Sequence, residues 1–229
     1  MEEQYLFKQN KISTGIEELD IMLDGGYSNP GSVVLIGPAG IGKAVFAFHF
    51  ANDGIKKGDA VYYLASDMLP KEVESKSASL GMKLKNGIKY IDCYSATVGV
   101  KDESRNDIFI DGPTALNDLS LVVNDAIRES GGKKIRFIFH SFSTFLLYNP
   151  QDSILKFFQV VEGRLKAANA TLFLLIEKGM HDEKLLNTFL HSIGEVFELE
   201  EKDGAYELSS SLLPVNVPVR IGPMGVEII

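Results

Sequence analysis

The sequence has a single cysteine, no excess of basic residues and no apolar run long enough to cross a membrane. The lone Cys93 excludes both an intrachain disulfide and a metal site built from cysteines. It lies in the apolar run 88–94, so we expect a buried thiol. A membrane span needs about 18 or more apolar residues, and the acidic residues 1–5 are unlike a signal peptide. These absences predict a soluble, cytoplasmic chain with no membrane partner.

The charge balance limits the partners further. Lysine and arginine total 23 against 31 aspartate and glutamate residues, a net charge of −8. Proteins that hold nucleic-acid phosphates usually carry a basic face, so we expect no nucleic-acid partner. The length of 229 residues and the hydrophobic content of 45 % suffice for one large α/β domain. No linker or repeat interrupts the sequence, which predicts a single domain over 1–229.

Apolar runs alternate with amphipathic segments along most of the chain. The predicted strands are 32–36, 60–64, 88–94, 135–139 and 171–176, and the predicted helices are 43–57, 71–80, 114–130 and 152–168. This alternation predicts an α/β fold, a mainly parallel sheet with helices on both faces. Segments 196–200 and 205–210 predict an antiparallel pair at the sheet edge.

Three other segments have weaker signals. Thr14 and Glu17 are spaced as a capping box at the start of a short helix. The polar stretch 95–112 predicts a mobile loop, and the proline- and glycine-rich tail 214–229 predicts an extended segment.

Residues 37–44 lie between a predicted strand and a predicted helix and nearly match the phosphate-binding pattern G-x-x-x-x-G-K-[ST]. The residues are Gly37, Pro38, Ala39, Gly40, Ile41, Gly42, Lys43 and Ala44. The glycines allow several N–H groups to point at one anion, and the helix start adds positive potential. We therefore expect these eight residues to bind the phosphates of a nucleotide. A plain glycine turn leading into a helix is the alternative.

The position that normally supports magnesium in such a loop is occupied by Ala44, which has no hydroxyl. A second ligand is normally an aspartate at the end of a neighbouring apolar strand, but the strand 135–139 is followed by His140. Neutral imidazole is a poor ligand for this hard cation. Because both missing oxygen groups serve one ion, the sequence predicts weak or absent magnesium and no metal-ligating residue. A purely structural role is the other interpretation of His140.

Asp67 follows the predicted strand 60–64 and is a candidate general base for activating water. The alternative is an N-cap or turn aspartate ahead of the helix near Pro70.

Several segments, in this order and spacing, together resemble the RecA-superfamily ATPases of the KaiC and RadA-like type. They are ISTGIEELDIMLDGG at 12–26, GSVVLIGPAGIGKAVFAFHF at 31–50, FIFHSFSTFLLY at 137–148, EKGMHDEK at 177–184 and FELEEKDG at 197–204. The resemblance implies a RecA-like P-loop core that binds ATP between subunits of a ring or filament. It aligns Asp67 with the first of two catalytic glutamates and Met68 with the second. Where the family supplies basic residues in trans, in a pattern like K-x-R-G, residues 205–213 contain no lysine or arginine.

Three hypotheses follow. In the first, a KaiC-like protein binds ATP or ADP through 37–44, hydrolyses ATP poorly or not at all, and acts as a regulatory or assembly subunit beside its own copies or an active paralogue. In the second, it is a working ATPase whose magnesium ligands are rerouted, for example through Asp67 or Ser141. In the third, it is an interaction protein that binds no nucleotide. Whether the chain is an enzyme stays open at this point.

Overall fold

The computed structural model describes residues 10–100 and 102–229. Two strands, β1 (Lys11–Ile12) and β2 (Tyr27–Ser28), form a small antiparallel sheet. The other strands form one ten-stranded sheet. They are β3 (Gly31–Gly37), β4 (Ala60–Ala65), β5 (Ile88–Asp92), β6 (Ile108–Phe109), β7 (Ile135–Phe139), β8 (Ala170–Glu177), β9 (Glu195–Lys202), β10 (Ala205–Ser209), β11 (Val217–Gly222) and β12 (Gly225–Ile228).

The helices alternate with these strands. They are α1 (Glu17–Met22), α2 (Lys43–Lys57), α3 (Pro70–Ser79), α4 (Ser95–Val98), α5 (Leu116–Glu129), α6 (Phe142–Tyr148), α7 (Gln151–Ala167) and α8 (Glu183–Leu190). Across the described ranges, no helix is both long and apolar enough to cross a bilayer.

The strand order is β12-β11-β10-β9-β3-β8-β7-β4-β5-β6. Strands β9 to β6 in this order pair in parallel, whereas β10, β11 and β12 pair antiparallel. All seven residues of β3 are buried, because apolar clusters cover the sheet on both faces. The predicted α/β fold, mainly parallel with antiparallel C-terminal strands, is confirmed. The order places β8 directly beside β3, and β7 and β4 beyond it. Because these four strands are parallel, their carboxyl ends lie at the same end of the sheet.

The prediction for the tail 214–229 was incomplete. This segment forms β11 and β12, so the pair β9–β10 is not the sheet edge, and β9 also pairs in parallel with β3. Val217 and Val219 are buried while Pro218 between them is exposed. Two apolar positions around a proline gave too short an alternation to indicate a strand.

Other local predictions also need correction. The stretch 95–112, predicted as a loop, contains α4 and β6, and its mobility stays a prediction. Lys101 within it lies outside the described residues, as do residues 1–5. The capping box is wrong because the N-cap of α1 is Ile16. The Thr14 hydroxyl instead accepts the Ile16 N–H at 3.1 Å, and Glu17 is the first helical residue. The predicted burial of Cys93 is confirmed, and burial raises its pKa to about 12.

Candidate functional site

The loop 37–44 connects the central strand β3 to α2, so the structure brings all eight predicted phosphate-binding residues together. Gly40 and Gly42 have φ of 75° and 99°, a region that glycine enters without the strain a side chain brings. A Cβ on Gly42 would also lie 2.6 Å from Ile221 Cδ1 on β11. Lys43 is the first residue of α2, where the helix end carries positive potential.

The Lys43 ammonium is buried, with 4 % of the side chain exposed. Its Nζ donates to the carbonyl oxygens of Gly37 at 2.8 Å and Pro38 at 2.7 Å. It also donates to Glu177 Oε2 at 2.8 Å. Because an ammonium group has three N–H donors, these three contacts use all of them. Any phosphate that Lys43 binds must therefore displace one of these acceptors.

The loop forms one wall of a cleft of about 290 Å³. The other walls come from the carboxyl ends of β4, β7 and β8 and from α3. Its lining residues are Gly40, Gly42, Lys43, Ala44, Asp67, Met68, Lys76, His140, Leu175 and Glu177. Clefts at the carboxyl ends of parallel strands are the usual ligand sites of open α/β sheets. A larger groove of about 540 Å³ between α5 and α7 contains none of the loop residues.

His140 follows β7 and is buried beneath this cleft, with 5 % exposed. Its Nδ1 contacts the buried Tyr63 hydroxyl, and its Nε2 lies 3.8 Å from Asp67 Oδ1. Burial, reinforced by the positive charges of Lys76 and Lys43 and opposed by Glu177, lowers the pKa of His140 to about 4. The imidazole is therefore neutral at pH 7.

Asp67 lies at the mouth of the cleft, with 39 % of its side chain exposed. Burial of the rest raises the pKa of this carboxyl, and Lys76 and Lys43 partly oppose that effect. Asp67 is not the N-cap of α3, since Leu69 holds that position. The structure places Asp67 in the cleft, in a bend three residues before the first residue of α3, which also agrees with the turn aspartate that the sequence offered as an alternative.

Magnesium would normally be held in such a cleft by a hydroxyl and an aspartate. Here the first position is the methyl group of Ala44, and the second is His140, whose Nδ1 already contacts Tyr63. Of the two carboxylates in the cleft, Glu177 is paired with Lys43. Ser141 is buried and does not line the cleft. The part of the chain that the structure describes has no group of three or more histidine, cysteine or acidic residues suited to a metal. Ala44 and His140 therefore do not fit the ion at the two positions that normally hold it.

Sequence reasoning missed two charged residues of the cleft, Glu177 and Lys76. Glu177 is the last residue of the apolar strand β8, and His140 is the first residue after β7. The rule that selected His140, a polar residue at the end of a buried strand, also selects Glu177. Lys76 is an exposed residue on α3, and nothing in its sequence context distinguishes it from other surface lysines.

The chain matches a known protein family over most of its length. A family model described as "ATPase: KaiC" matches residues 12–208. A UPF0273 protein of Pyrococcus horikoshii is 27 % identical over 161 residues, which cover 67 % of this chain and 64 % of that protein. A UPF0273 protein of Pyrococcus furiosus is also 27 % identical, over 164 residues with the same coverage of each chain. The chain therefore spans just under two thirds of the length of these relatives.

Two further matches concern proteins named KaiC. The circadian clock protein KaiC2 of Synechocystis is 38 % identical over 77 residues, 33 % of this chain and 14 % of that protein. The crystal structure of a KaiC-like protein of Pyrococcus horikoshii superposes with a TM-score of 0.75 at 15 % identity, covering 96 % of this chain and 99 % of the other. At that identity the likeness shows the fold alone.

Proposed function

The chain belongs to the KaiC family of ATPases, and from that premise we propose that it binds ADP or ATP through residues 37–44 and hydrolyses ATP slowly or not at all. One observation carries the proposal. Lys43 lies beside two left-handed glycines at a helix N-terminus, whereas Ala44 and His140 offer no oxygen to a metal. The cleft thus keeps the groups that hold phosphate and lacks the hydroxyl and the aspartate that normally hold the ion.

Slow hydrolysis follows from several changes acting together. Losing both protein ligands of the metal removes several kcal/mol of transition-state stabilisation, on the order of 10³-fold in rate. Asp67 is a shorter base than the family's glutamate, and Met68 replaces its neighbour. The stretch 205–213, which includes β10, has no lysine or arginine to neutralise developing charge.

We further propose that the protein works as a regulatory or assembly subunit, with copies of itself or an active paralogue as partner. The family places its nucleotide between subunits, so a protein that binds without turnover would act by stabilising an assembly.

The first prediction concerns Lys43. Lys43→Ala should weaken ADP and ATP binding about tenfold or more, since a charged hydrogen bond to phosphate is lost. Calorimetric titration measures both affinities. Lys56→Ala is the matched control, because Lys56 is exposed near the other end of the same helix. Equal affinity in both variants would contradict the assignment of Lys43. A wild-type protein that binds neither nucleotide would favour an interaction protein.

An active ATPase is the second candidate, and one observation favours it. Asp67 and Glu177 both line the cleft, and carboxylate oxygens are ligands that magnesium accepts. Phosphate release by the purified protein, measured with and without magnesium, separates the candidates. Magnesium-dependent turnover would favour this one and contradict slow hydrolysis.

A further inference from the structure

The cleft already holds an anion against Lys43, namely the carboxylate of Glu177. We propose that Glu177 makes this cleft select a nucleoside diphosphate over a triphosphate, because the carboxylate occupies the place beside Lys43 that a terminal third phosphate needs. This inference rests on the proposed function, since it concerns the ligand of the same site. It assigns Glu177 a role in specificity.

The position of Glu177 is fixed by its backbone. Glu177 stands opposite Gly37 in the parallel register of β8 and β3. Its N–H donates to Ser143 Oγ at 2.8 Å, and that oxygen lies 2.8 Å from His181 Nε2. The next N–H, of Lys178, donates to the Gly37 carbonyl at 2.9 Å. These hydrogen bonds fix the backbone at the end of β8 against Gly37, the first residue of the loop. A ligand can therefore displace Glu177 from Lys43 through rotation of the Glu177 side chain.

The ion pair between Lys43 and Glu177 is shielded from water at Lys43 and partly open to it at Glu177. The Lys43 side chain is 4 % exposed and the Glu177 side chain 23 % exposed. Charges in such surroundings interact more strongly than a fully exposed pair does. A ligand that displaces Glu177 must therefore replace a strong contact and also lie close to the displaced carboxylate.

The formal charges of the cleft cancel before any ligand enters. Lys43 and Lys76 carry positive charge, Asp67 and Glu177 carry negative charge, and His140 is neutral. Neither Ala44 nor His140 offers an oxygen to a metal ion that would offset phosphate charge. The loop N–H groups can hold the phosphate nearest to them, but in loops of this kind the lysine reaches the outer phosphates. A third phosphate beside Lys43 would lie against the Glu177 carboxylate, and repulsion between these two negative groups disfavours binding.

The test compares ADP and ATP affinities in metal-free buffer for the wild type, Glu177→Gln and Glu183→Gln. Glutamine keeps the size of glutamate and removes its charge. Glu183 is exposed on α8 outside the cleft, so its substitution changes the net charge equally. Circular dichroism and thermal melting confirm that each variant is folded. Calorimetric titration gives the dissociation constants.

We expect the wild type and Glu183→Gln to bind ADP more tightly than ATP. Glu177→Gln should gain about tenfold in ATP affinity and less in ADP affinity, which brings the two constants together. A wild type that binds ADP without preference over ATP, or a preference unchanged by Glu177→Gln, overturns the inference and leaves the proposed function intact. If neither the wild type nor Glu177→Gln binds either nucleotide, the proposed function fails and the inference with it.

Discussion

At the scale of single residues, His140 is where burial acts most directly on the chemistry of the cleft. The ring is almost fully enclosed and lies against Tyr63 and Phe48. In the neutral ring, the tautomer with its hydrogen on Nε2 directs that hydrogen towards Asp67 and lets Nδ1 accept the Tyr63 hydroxyl hydrogen. Protonation would place a second hydrogen against Tyr63 and a charge in an apolar setting. The neutral form is therefore part of the folded structure.

This arrangement predicts a pH dependence of stability. The pKa of His140 is about 4 in the folded state against 6.5 for the free side chain. Between these values the unfolded chain binds more protons, so the free energy of unfolding falls as pH falls from about 6.5 to about 4. At 1.36 kcal/mol per pKa unit, the loss is roughly 3 kcal/mol.

Urea denaturation of the wild type and His140→Asn across this range measures the effect. Burial also lowers the pKa values of His49 and His181, but both proteins share those histidines. The wild type should lose roughly 3 kcal/mol more than the variant on acidification. Parallel curves for the two proteins would mean that His140 is charged or exposed in solution.

The sequence predicted part of the cleft at this scale. The phosphate-binding pattern identified Gly37 to Ala44, and strand-end reasoning identified His140 and Asp67. The contact between Lys43 and Glu177 was not predictable, because it depends on β8 lying beside β3. That adjacency joins residues 134 positions apart, and local patterns carry no information on which buried strands are neighbours.

At the scale of elements, α2 supports the cleft at one end and packs against a buried charge at the other. Arg136 of β7 is fully buried. Its guanidinium pairs with Asp53 at 2.7 Å and Asp59 at 2.8 Å, and it also donates to the carbonyls of Ser13 and Phe50. Gly54 of α2 lies directly against this side chain. Arg136 thus joins the sheet to α2 and to the segment before α1.

This packing predicts opposite effects for two glycine substitutions within helices. A Cβ on Gly54 would lie 2.5 Å from Arg136 Cδ and 2.9 Å from Val61 Cγ2. Gly54→Ala should therefore destabilise the protein by about 1–3 kcal/mol through overpacking, despite alanine's better helix propensity. Gly163 of α7 is exposed, and a Cβ added there would meet no atom of the described residues within 4 Å. Gly163→Ala should stabilise by up to about 1 kcal/mol.

Thermal and urea unfolding of both variants give these differences. If Gly54→Ala were as stabilising as Gly163→Ala, Arg136 would have to be mobile, and the buried network around it would be wrong.

The elements differ in how well the sequence predicted them. The bounds of α2 and β7 agree with the predictions 43–57 and 135–139. The helical periodicity of α2 ends at Gly58, and the apolar run of β7 ends at the polar His140. The sequence pattern did not predict α6 or α8. In α6 apolar residues lie on both faces, because Phe142, Phe145 and Leu146 are buried whereas Leu147 and Tyr148 are exposed. The segment therefore shows no clear helical alternation of polar and apolar positions.

At the scale of the whole molecule, α2 also links the two ends of the described chain. His49 Nδ1 lies 3.1 Å from the Gly15 carbonyl, and its Nε2 accepts the Val226 N–H at 3.0 Å. The segment before α1 and the last strand β12 are therefore fastened to the helix that begins at Lys43. The antiparallel strands also bring Ile221 of β11 over the loop at Gly42. The C-terminal strands thus restrict the loop from outside.

The overall fold does not by itself decide the activity, because one fold hosts many functions. The sheet topology places a cleft at the carboxyl ends of β3, β4, β7 and β8. We infer that the side chains in that cleft, rather than the fold, allow phosphate to be held without a protein-bound metal. Single-domain organisation over 1–229 stays a prediction.

Phosphate binding without a protein-bound metal is tested by calorimetric titration of ADP, with magnesium and with a chelator, into the wild type and Ala44→Thr/His140→Asp. We expect the same dissociation constant for the wild type in both solutions. The double variant, which regains a hydroxyl and a carboxylate for the ion, should bind more tightly when magnesium is present. A wild type whose affinity rises with magnesium by as much as that of the double variant would show that the ion is held in the native cleft after all.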